Sequence, residues 1–456
     1  MGKVSKLFGT DGVRGEANAG VMTVENAVQI GRAIGKLCLG RSRHNRPRVL
    51  IGKDTRRSGY LFENALVAGL CSVGADPYLV GPLPTPGIAF MTVGMRADAG
   101  VVISASHNPY ADNGIKIFGA DGYKLPDELE AQIEAWVADP QPLYDALARG
   151  DRIGRAWRVD DAWGRYTVKL KTTFPNDLTL DGLKIAVDPG HGAAYKVAPM
   201  VLEELGAQVV LINARPDGLN INQQSGALHP EGLAKAVVEQ GCHLGVALDG
   251  DADRLFLVDE RGGVVDGDRV MALCATRMKA QGTLKGDTVV ATVMSNYGLE
   301  LALREAGIAL LRTDVGDRMV VEAMRRGGYN LGGEQSGHLV FLDHATTGDG
   351  VLAALQVLAI ATREQRPVSQ LAQVMQTVPQ VLINLAVRDK PPISSLPAVS
   401  GLIAEVERDL VGSGRVLVRY SGTERKCRVM VEGRDAEVVQ RHAQRIADSV
   451  VTAIGA

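Results

Sequence analysis

Val49-Leu-Ile-Gly-Lys-Asp54 runs from apolar residues into a polar turn, a helical stretch follows to Gly74, and Pro77-Tyr-Leu-Val80 is apolar again. A short buried strand, a helix and a second strand in that order is the pattern of a parallel α/β layer. The pattern returns twice. Lys184-Ile-Ala-Val-Asp188 leads through a helix to Gly206 and on to Gln208-Val-Val-Leu-Ile212, and Thr288-Val-Val-Ala-Thr-Val293 leads through a helix to Gly307 and on to Ile308-Ala-Leu-Leu311. Each glycine falls where a helix C-terminus tolerates a left-handed residue.

Behind each unit stands a further short strand that ends in a polar loop. The three are Val101-Val-Ile-Ser-Ala-Ser106-His-Asn-Pro109, Gly245-Val-Ala-Leu-Asp249-Gly-Asp-Ala-Asp253-Arg254 and Leu331-Gly-Gly-Glu334-Gln-Ser-Gly-His338. A period this long exceeds the roughly 20 to 50 residues of stacked arrays, so the expectation is three repeated α/β domains with mixed sheets. Open parallel sheets bind ligands at the C-terminal ends of their strands. Three such domains around one centre would aim all three loops into a central cleft. After Arg388-Asp-Lys-Pro-Pro-Ile393, a helix, two strands (415–420 and 427–432) and a last helix from Asp435 predict a small C-terminal α+β domain. The expected domains are 1–155, 156–255, 256–374 and 375–456.

A chain of 456 residues is too long for one core, and a cleft between domains follows. The formal charge of −2, with 46% hydrophobic and 22% charged residues, gives no sign of a nucleic-acid or membrane surface, so any anion site is local. Five scattered cysteines without a C-x-x-C pair indicate buried free thiols rather than disulfides or zinc. The N-terminus lacks a signal core and a myristoylation pattern, and the longest apolar stretch, 351–361, is too short to span a bilayer. A reduced, cytoplasmic compartment is expected, and the oligomeric state is left open, a homodimer included.

Asp249, Asp251 and Asp253 alternate, and on an extended segment their carboxylates would share one side. Three hard oxygens on one face suit a single Mg²⁺. Glu260 stands where a calcium EF-hand has its last ligand, but Arg254 replaces the glycine that loop needs and both flanks read as strands, so an EF-hand is excluded. Ser106 precedes a forced turn, and His107 beside it reads as a loop-former rather than a base. A serine without an activating base can still work if it carries phosphate, whose charge of about −1.5 to −2 and three acceptor oxygens would help complete the Mg²⁺ shell. Arg14, Arg56, Lys116 and Arg254 are the cations in the surrounding loops. Arg419, Ser421, Gly422, Thr423 and Arg428 form a candidate phosphate cradle in the tail. Glu334 and Ser336 suit sugar hydroxyls, while His338 either joins the site or caps the turn.

Together these motifs resemble the α-D-phosphohexomutase superfamily over nearly the whole chain. The opening Phe8-Gly-Thr-Asp-Gly-Val-Arg-Gly15, Thr313-Asp-Val-Gly-Asp317-Arg and Gln335 look like its bacterial phosphoglucosamine mutase branch. The resemblance implies interconversion of glucosamine 6-phosphate and glucosamine 1-phosphate on the route to UDP-N-acetylglucosamine, through phosphorylated Ser106 and a sugar bisphosphate intermediate. It implies that Asp249, Asp251 and Asp253 hold Mg²⁺ together with the Ser106 group. Arg14 and Lys116 would lie near the transferring phosphate. Arg254, Glu334, Ser336 and His338 would line the sugar site, and the tail loop would hold the other phosphate. Arg425 stands where the family's tail loop usually has proline. The competing readings are a phosphomannomutase or phosphoglucomutase, a sugar phosphatase using Asp249, and a non-catalytic phosphosugar sensor.

Overall fold

The structure is a computed structural model that describes residues 7–9, 11–421 and 425–456. Strand pairing repeats itself along the chain. The first sheet contains β1 (Val13–Glu16), β2 (Arg48–Lys53), β3 (Asp76–Pro82), β4 (Ala99–Ile103), β5 (Asp112–Gly119) and β6 (Trp157–Arg158), in the order β1-β5-β4-β2-β3-β6. The second has β7 (Lys184–Asp188), β8 (Gln208–Leu211), β9 (Leu244–Leu248), β10 (Leu255–Asp259) and β11 (Val264–Val265), ordered β11-β10-β9-β7-β8. The third has β12 (Thr288–Thr292), β13 (Ala309–Thr313), β14 (Leu331–Gly333) and β15 (Leu339–Phe341), ordered β13-β12-β14-β15.

The common unit is therefore three parallel strands and a fourth that returns antiparallel: β5-β4-β2-β3, β10-β9-β7-β8 and β15-β14-β12-β13. Each special loop is the reversal between the third strand and the returning fourth. Gly74, Gly206 and Gly307 end their helices at φ +87°, +103° and +68°. The central strands β4, β9 and β12 are buried at every residue, which explains their continuous apolar runs. The second sheet continues past residue 255, because β10 pairs back onto β9 and β11 onto β10; the first likewise takes in Trp157 and Arg158.

The fourth sheet, β16 (Gln380–Ala386), β17 (Gly414–Tyr420) and β18 (Lys426–Gly433), is antiparallel in the order β16-β18-β17 and is covered by helices Pro397–Asp409 and Ala436–Ile454. One hydrophobic cluster runs through the first three domains, joining Leu83, Tyr166, Leu248, Leu255 and Leu352. The fourth has its own cluster around Val399, Cys427, Val429 and Ile446. The five cysteines are free and four are buried. Among the described residues, no helix is long and apolar enough to cross a membrane.

The seam between the third and fourth domains is polar. Asn296 pairs with both the N–H and the C=O of Val378 (3.0 and 3.1 Å) and donates to the buried Glu432 (3.3 Å). Arg415 binds Glu432 at 2.5 Å and the carbonyls of Val293 and Ser295 at 2.9 and 2.7 Å. The backbone N–H of Asn296 donates to Asp268 at 2.7 Å. Burial, and then the nearby Asp266, push the Asp268 carboxyl up to about 7. Folded protein thus keeps this proton where unfolded chain has lost it, so stability falls as pH rises from about 4 toward 7 and levels off above. Asp268→Asn keeps an acceptor for Asn296 but cannot ionise. Denaturant unfolding between pH 5 and pH 8 is expected to show a flatter stability profile in this variant than in wild type.

Candidate active site

Ser106 follows β4 in a tight turn at φ +50° and is only 2% exposed. Its Oγ donates to Asp249 Oδ2 at 2.7 Å and lies 3.3 Å from His107 Nδ1. Burial, and then the charges of Arg254 and Arg14, lower the His107 imidazole to about 4, so it is neutral at physiological pH. Arg56 is fully buried. It lies 3.4 Å from Asp54 and donates to the carbonyls of Ser106 and Asn108 (3.0 and 2.6 Å). It is thus a backbone clamp and not a cation presented to substrate, as its place in a polar loop had suggested.

The aspartate loop joins β9 to β10 and is not extended. A turn closes from Ala252 N to Asp249 O at 3.0 Å, with Ala252 at φ +56°. The three carboxylates converge through this turn and not through strand alternation: they offer oxygens within 4.8 Å of one another, all buried. Asp251 is tethered to the first domain, accepting from Thr85 Oγ1 at 2.7 Å while its own carbonyl accepts Thr85 N–H at 2.9 Å. Lys116, on β5 and 2% exposed, lies 3.0, 3.4 and 3.2 Å from Asp251, Asp253 and Asp11. Burial disfavours its charge, but Asp11, Asp251 and Asp253 outweigh that and hold the ammonium well above its ordinary range.

Burial, then Asp253 and Asp251, raise Asp249 well above the carboxylate range. Burial acts the same way on Asp253, yet Lys116 and then His338 overcome it and hold this carboxyl well below. The Oδ1 atoms of Asp251 and Asp253 are buried without a hydrogen-bond partner among the described residues. Orphaned acceptors of this kind, on hard oxygen ligands packed this closely, fit a divalent cation.

The third-domain loop meets the aspartate loop edge to edge. Arg254 and His338 form a β-bridge, and Leu255 N–H donates to Gly337 O at 3.0 Å. A Cβ on Gly337 would stand 2.2 Å from Leu255 O, so only glycine permits this approach. His338 is 3% exposed, with Nε2 accepting from Gly348 N–H at 3.1 Å and 3.7 Å from Asp317, and Nδ1 3.7 Å from Asp253. Both ring nitrogens thus face protein groups, and His338 links the third-domain loop to the aspartate cluster. Glu334 and Ser336 are half-buried; Ser336 Oγ donates to Glu334 at 3.3 Å, and Glu334 also accepts Gly316 N–H at 3.2 Å.

Arg14, on β1, binds Asp11 at 2.8 Å. Lys124 joins Asp11 to Asp317, 2.5 Å away, and so links the first domain to the third. In the tail, Arg419 and Arg428 are paired across β17 and β18, and burial and then Arg428 lower the Arg419 pKa. Arg419 donates to Met294 Sδ of the third domain at 3.6 Å, while Ser421 is buried with its carbonyl accepting from Lys390 at 2.6 Å. Gly422 and Thr423 lie outside the described residues. Thr85, Asn222, Asp54, Ser104, Asp11, Lys124 and Asp317 were not among the expected site residues. Thr85, Asn222 and Lys124 meet the site across 166, 116 and 193 positions of chain, which spacing cannot reveal, whereas Asp11 and Ser104 stand within three residues of Arg14 and Ser106.

Comparison with known proteins agrees with this arrangement. Residues 5–142, 165–263, 266–378 and 382–449 match phosphoglucomutase/phosphomannomutase alpha/beta/alpha domains I, II and III and the C-terminal domain of that family. A phosphoglucosamine mutase of Anaeromyxobacter sp. (strain Fw109-5) is 59% identical over 99% of this chain and 96% of its own. One of Myxococcus xanthus is 58% identical over 98% and 97%. Among solved structures, a phosphoglucomutase/phosphomannomutase family protein from Burkholderia thailandensis superposes with a TM-score of 0.80 at 24% identity, covering 98% of this chain and 97% of that one. The Aspergillus fumigatus N-acetylphosphoglucosamine mutase, solved with GlcNAc-6P and magnesium, gives 0.65 at 16% identity over 98% and 96%. Four domains in family order, three of them turning one loop each onto a buried aspartate cluster, and near-60% identity end to end lead to one assignment: the chain belongs to the phosphoglucosamine mutase family.

Proposed function

We propose that this enzyme is an isomerase that interconverts glucosamine 6-phosphate and glucosamine 1-phosphate in the cytoplasm, with Ser106 carrying the phosphoryl group between turnovers. The observation that carries the reading is the 2.7 Å contact of Ser106 Oγ with Asp249, inside the one cluster of three carboxylates that the described residues offer a metal. Bound Mg²⁺ would supply positive charge to the phosphoryl oxygens from Asp249, Asp251 and Asp253.

In the first half-reaction the Oγ–P bond of phospho-Ser106 breaks and an O–P bond forms to the free hydroxyl of the monophosphate, whose proton passes to a base. The resulting bisphosphate turns over in the cleft. Its other phosphate returns to Ser106, and the remaining O–P bond keeps the product phosphorylated at the new position. Lys116 and Arg14 are the chain's own cations for charge developing at Ser106. Arg254, Glu334 and Ser336 are assigned to the sugar, and Arg419, Ser421, Gly422, Thr423 and Arg428 to the phosphate that is not transferring. The separate core and polar seam of the fourth domain support closure over the substrate, which would keep water from phospho-Ser106.

A coupled assay with Mg²⁺ and a trace of sugar bisphosphate tests this. Rates on glucosamine 6-phosphate are expected to exceed those on glucose and mannose phosphates. Equal or higher rates on the neutral sugars would replace the substrate while keeping the mutase, and stoichiometric phosphate release would make the enzyme a phosphatase.

A further inference from the structure

A left-handed conformation is strained for a non-glycine residue, so the φ of +50° at Ser106 has to be imposed by its surroundings. On one side, Ser106 N–H donates to Ser104 Oγ at 2.9 Å, and that hydroxyl donates to Asp54 at 2.6 Å. On the other, Ser106 O accepts from two buried donors, Arg56 Nη2 at 3.0 Å and Asn222 Nδ2 at 2.9 Å. The same two donors reach Asn108 O, at 2.6 and 3.2 Å.

Asn222 belongs to the second domain and arrives from 116 residues away. Its amide has one workable orientation, since exchanging Nδ2 and Oδ1 would set an oxygen against two carbonyl oxygens. The residue is itself anchored: it is 7% exposed, lies at φ +59°, and its N–H donates to Gly190 O at 2.9 Å. Gly250 of the aspartate loop makes room for the contact, because a Cβ there would stand 2.6 Å from Ser106 O and 2.9 Å from Asn222 Nδ2.

We propose that Asn222 is a positioning residue for the phosphoryl-carrying hydroxyl: by donating across the domain boundary to Ser106 O and Asn108 O, it holds the strained serine loop in register with Asp249. The proposal rests on the reading of Ser106 as phosphoryl carrier. That serine acts as leaving group in one half-reaction and as nucleophile in the other, and both need its Oγ in the same place. A loop relaxed to negative φ would carry Oγ away from the aspartates. Arg56 holds the same carbonyls, but it is a fully buried charge beside Asp54, and removing it would disturb the fold. Asn222 is neutral and gives the cleaner test.

Asn222→Asp is nearly isosteric but, as a carboxylate, cannot donate; Asn222→Ala removes the group altogether. Steady-state rates on glucosamine 6-phosphate with Mg²⁺ and bisphosphate are expected to show kcat lowered roughly 10- to 100-fold in both variants, the size of a misplacement near 1 Å, while KM moves less than about threefold. In a single turnover, phosphorylated variant mixed with sugar phosphate should lose its phosphate, followed by intact mass, correspondingly slowly. Near-UV circular dichroism gates the comparison, and if the alanine variant does not fold the aspartate variant alone decides. A kcat within about twofold of wild type in the folded variants, or a change confined to KM, overturns the proposal. Ser106→Ala measured alongside separates the two ideas: an inactive Ser106→Ala with fully active Asn222→Asp removes only the positioning role, whereas turnover without Ser106 removes the phosphoserine reading as well.

Discussion

Ser106→Ala is expected to lower kcat/KM on glucosamine 6-phosphate by roughly 10⁴-fold or more, the scale on which enzymes lose a covalent carrier. Among the described residues, no other hydroxyl donates to Asp249. Ser104 Oγ is committed to Asp54 within the first domain, and Thr85 Oγ1 to Asp251 across the seam with the second. The variant keeps its cation site, because Asp249, Asp251 and Asp253 come from a turn closed by their own backbone. It also loses the hydrogen bond to Asp249 at 2.7 Å, a cost of about 1–3 kcal/mol for a buried acceptor. Calorimetric Mg²⁺ binding within a few-fold of wild type, together with lost turnover and no phosphorylated species by mass, is the expected combination. Turnover that survives would remove Ser106 from the reaction.

Lys116→Met is the second large effect, and it concerns stability as much as rate. Lys116 is the ammonium that Asp11, Asp251 and Asp253 share at 3.0 to 3.4 Å in a buried setting. Removing one partner of such a group leaves uncompensated charge and costs about 3–5 kcal/mol. Mg²⁺ returns positive charge to the same carboxylates, so the thermal midpoint of Lys116→Met should rise on adding Mg²⁺ by clearly more than that of wild type. Equal rises in the two proteins would mean that lysine and cation do not share these oxygens. Activity is expected to stay low even with saturating Mg²⁺, since the metal does not restore the ammonium between Asp11 and the aspartate loop.

The triplicated architecture was legible because each repeat carries local signals that need no partner. The central stretches Val49-Leu-Ile51, Ile185-Ala-Val187 and Val289-Val-Ala291 are apolar because their strands are buried, and Gly74, Gly206 and Gly307 end helices with positive φ. The reactive loops were legible for a related reason: each concentrates its polar residues within one reversal. The geometry within the loops was harder to read. The aspartates are brought together by a turn with Ala252 left-handed, a conformation that alanine does not announce. The surroundings of Ser106 depend on Asp54 within the first domain and on Asn222 and Thr85, whose contacts cross between the first and second domains. Arg56 shows the same limit in reverse, since a charged residue in a polar loop gave no hint that it is fully buried against two carbonyls.

The fourth domain keeps its apolar cluster to itself and meets the third through Asn296, Arg415 and Glu432. Injury to the two parts of the molecule therefore has unlike symptoms. On the proposed assignment of the tail loop to the non-transferring phosphate, loosening Val429 or Ile446 would blunt that grip while leaving the serine and its aspartates in register. Loosening Leu248 or Leu255, which lie in the cluster common to the other three domains, would scatter the reacting groups themselves. A weakened clasp is accordingly expected to show itself first as a demand for more substrate, and a weakened anvil as lost turnover.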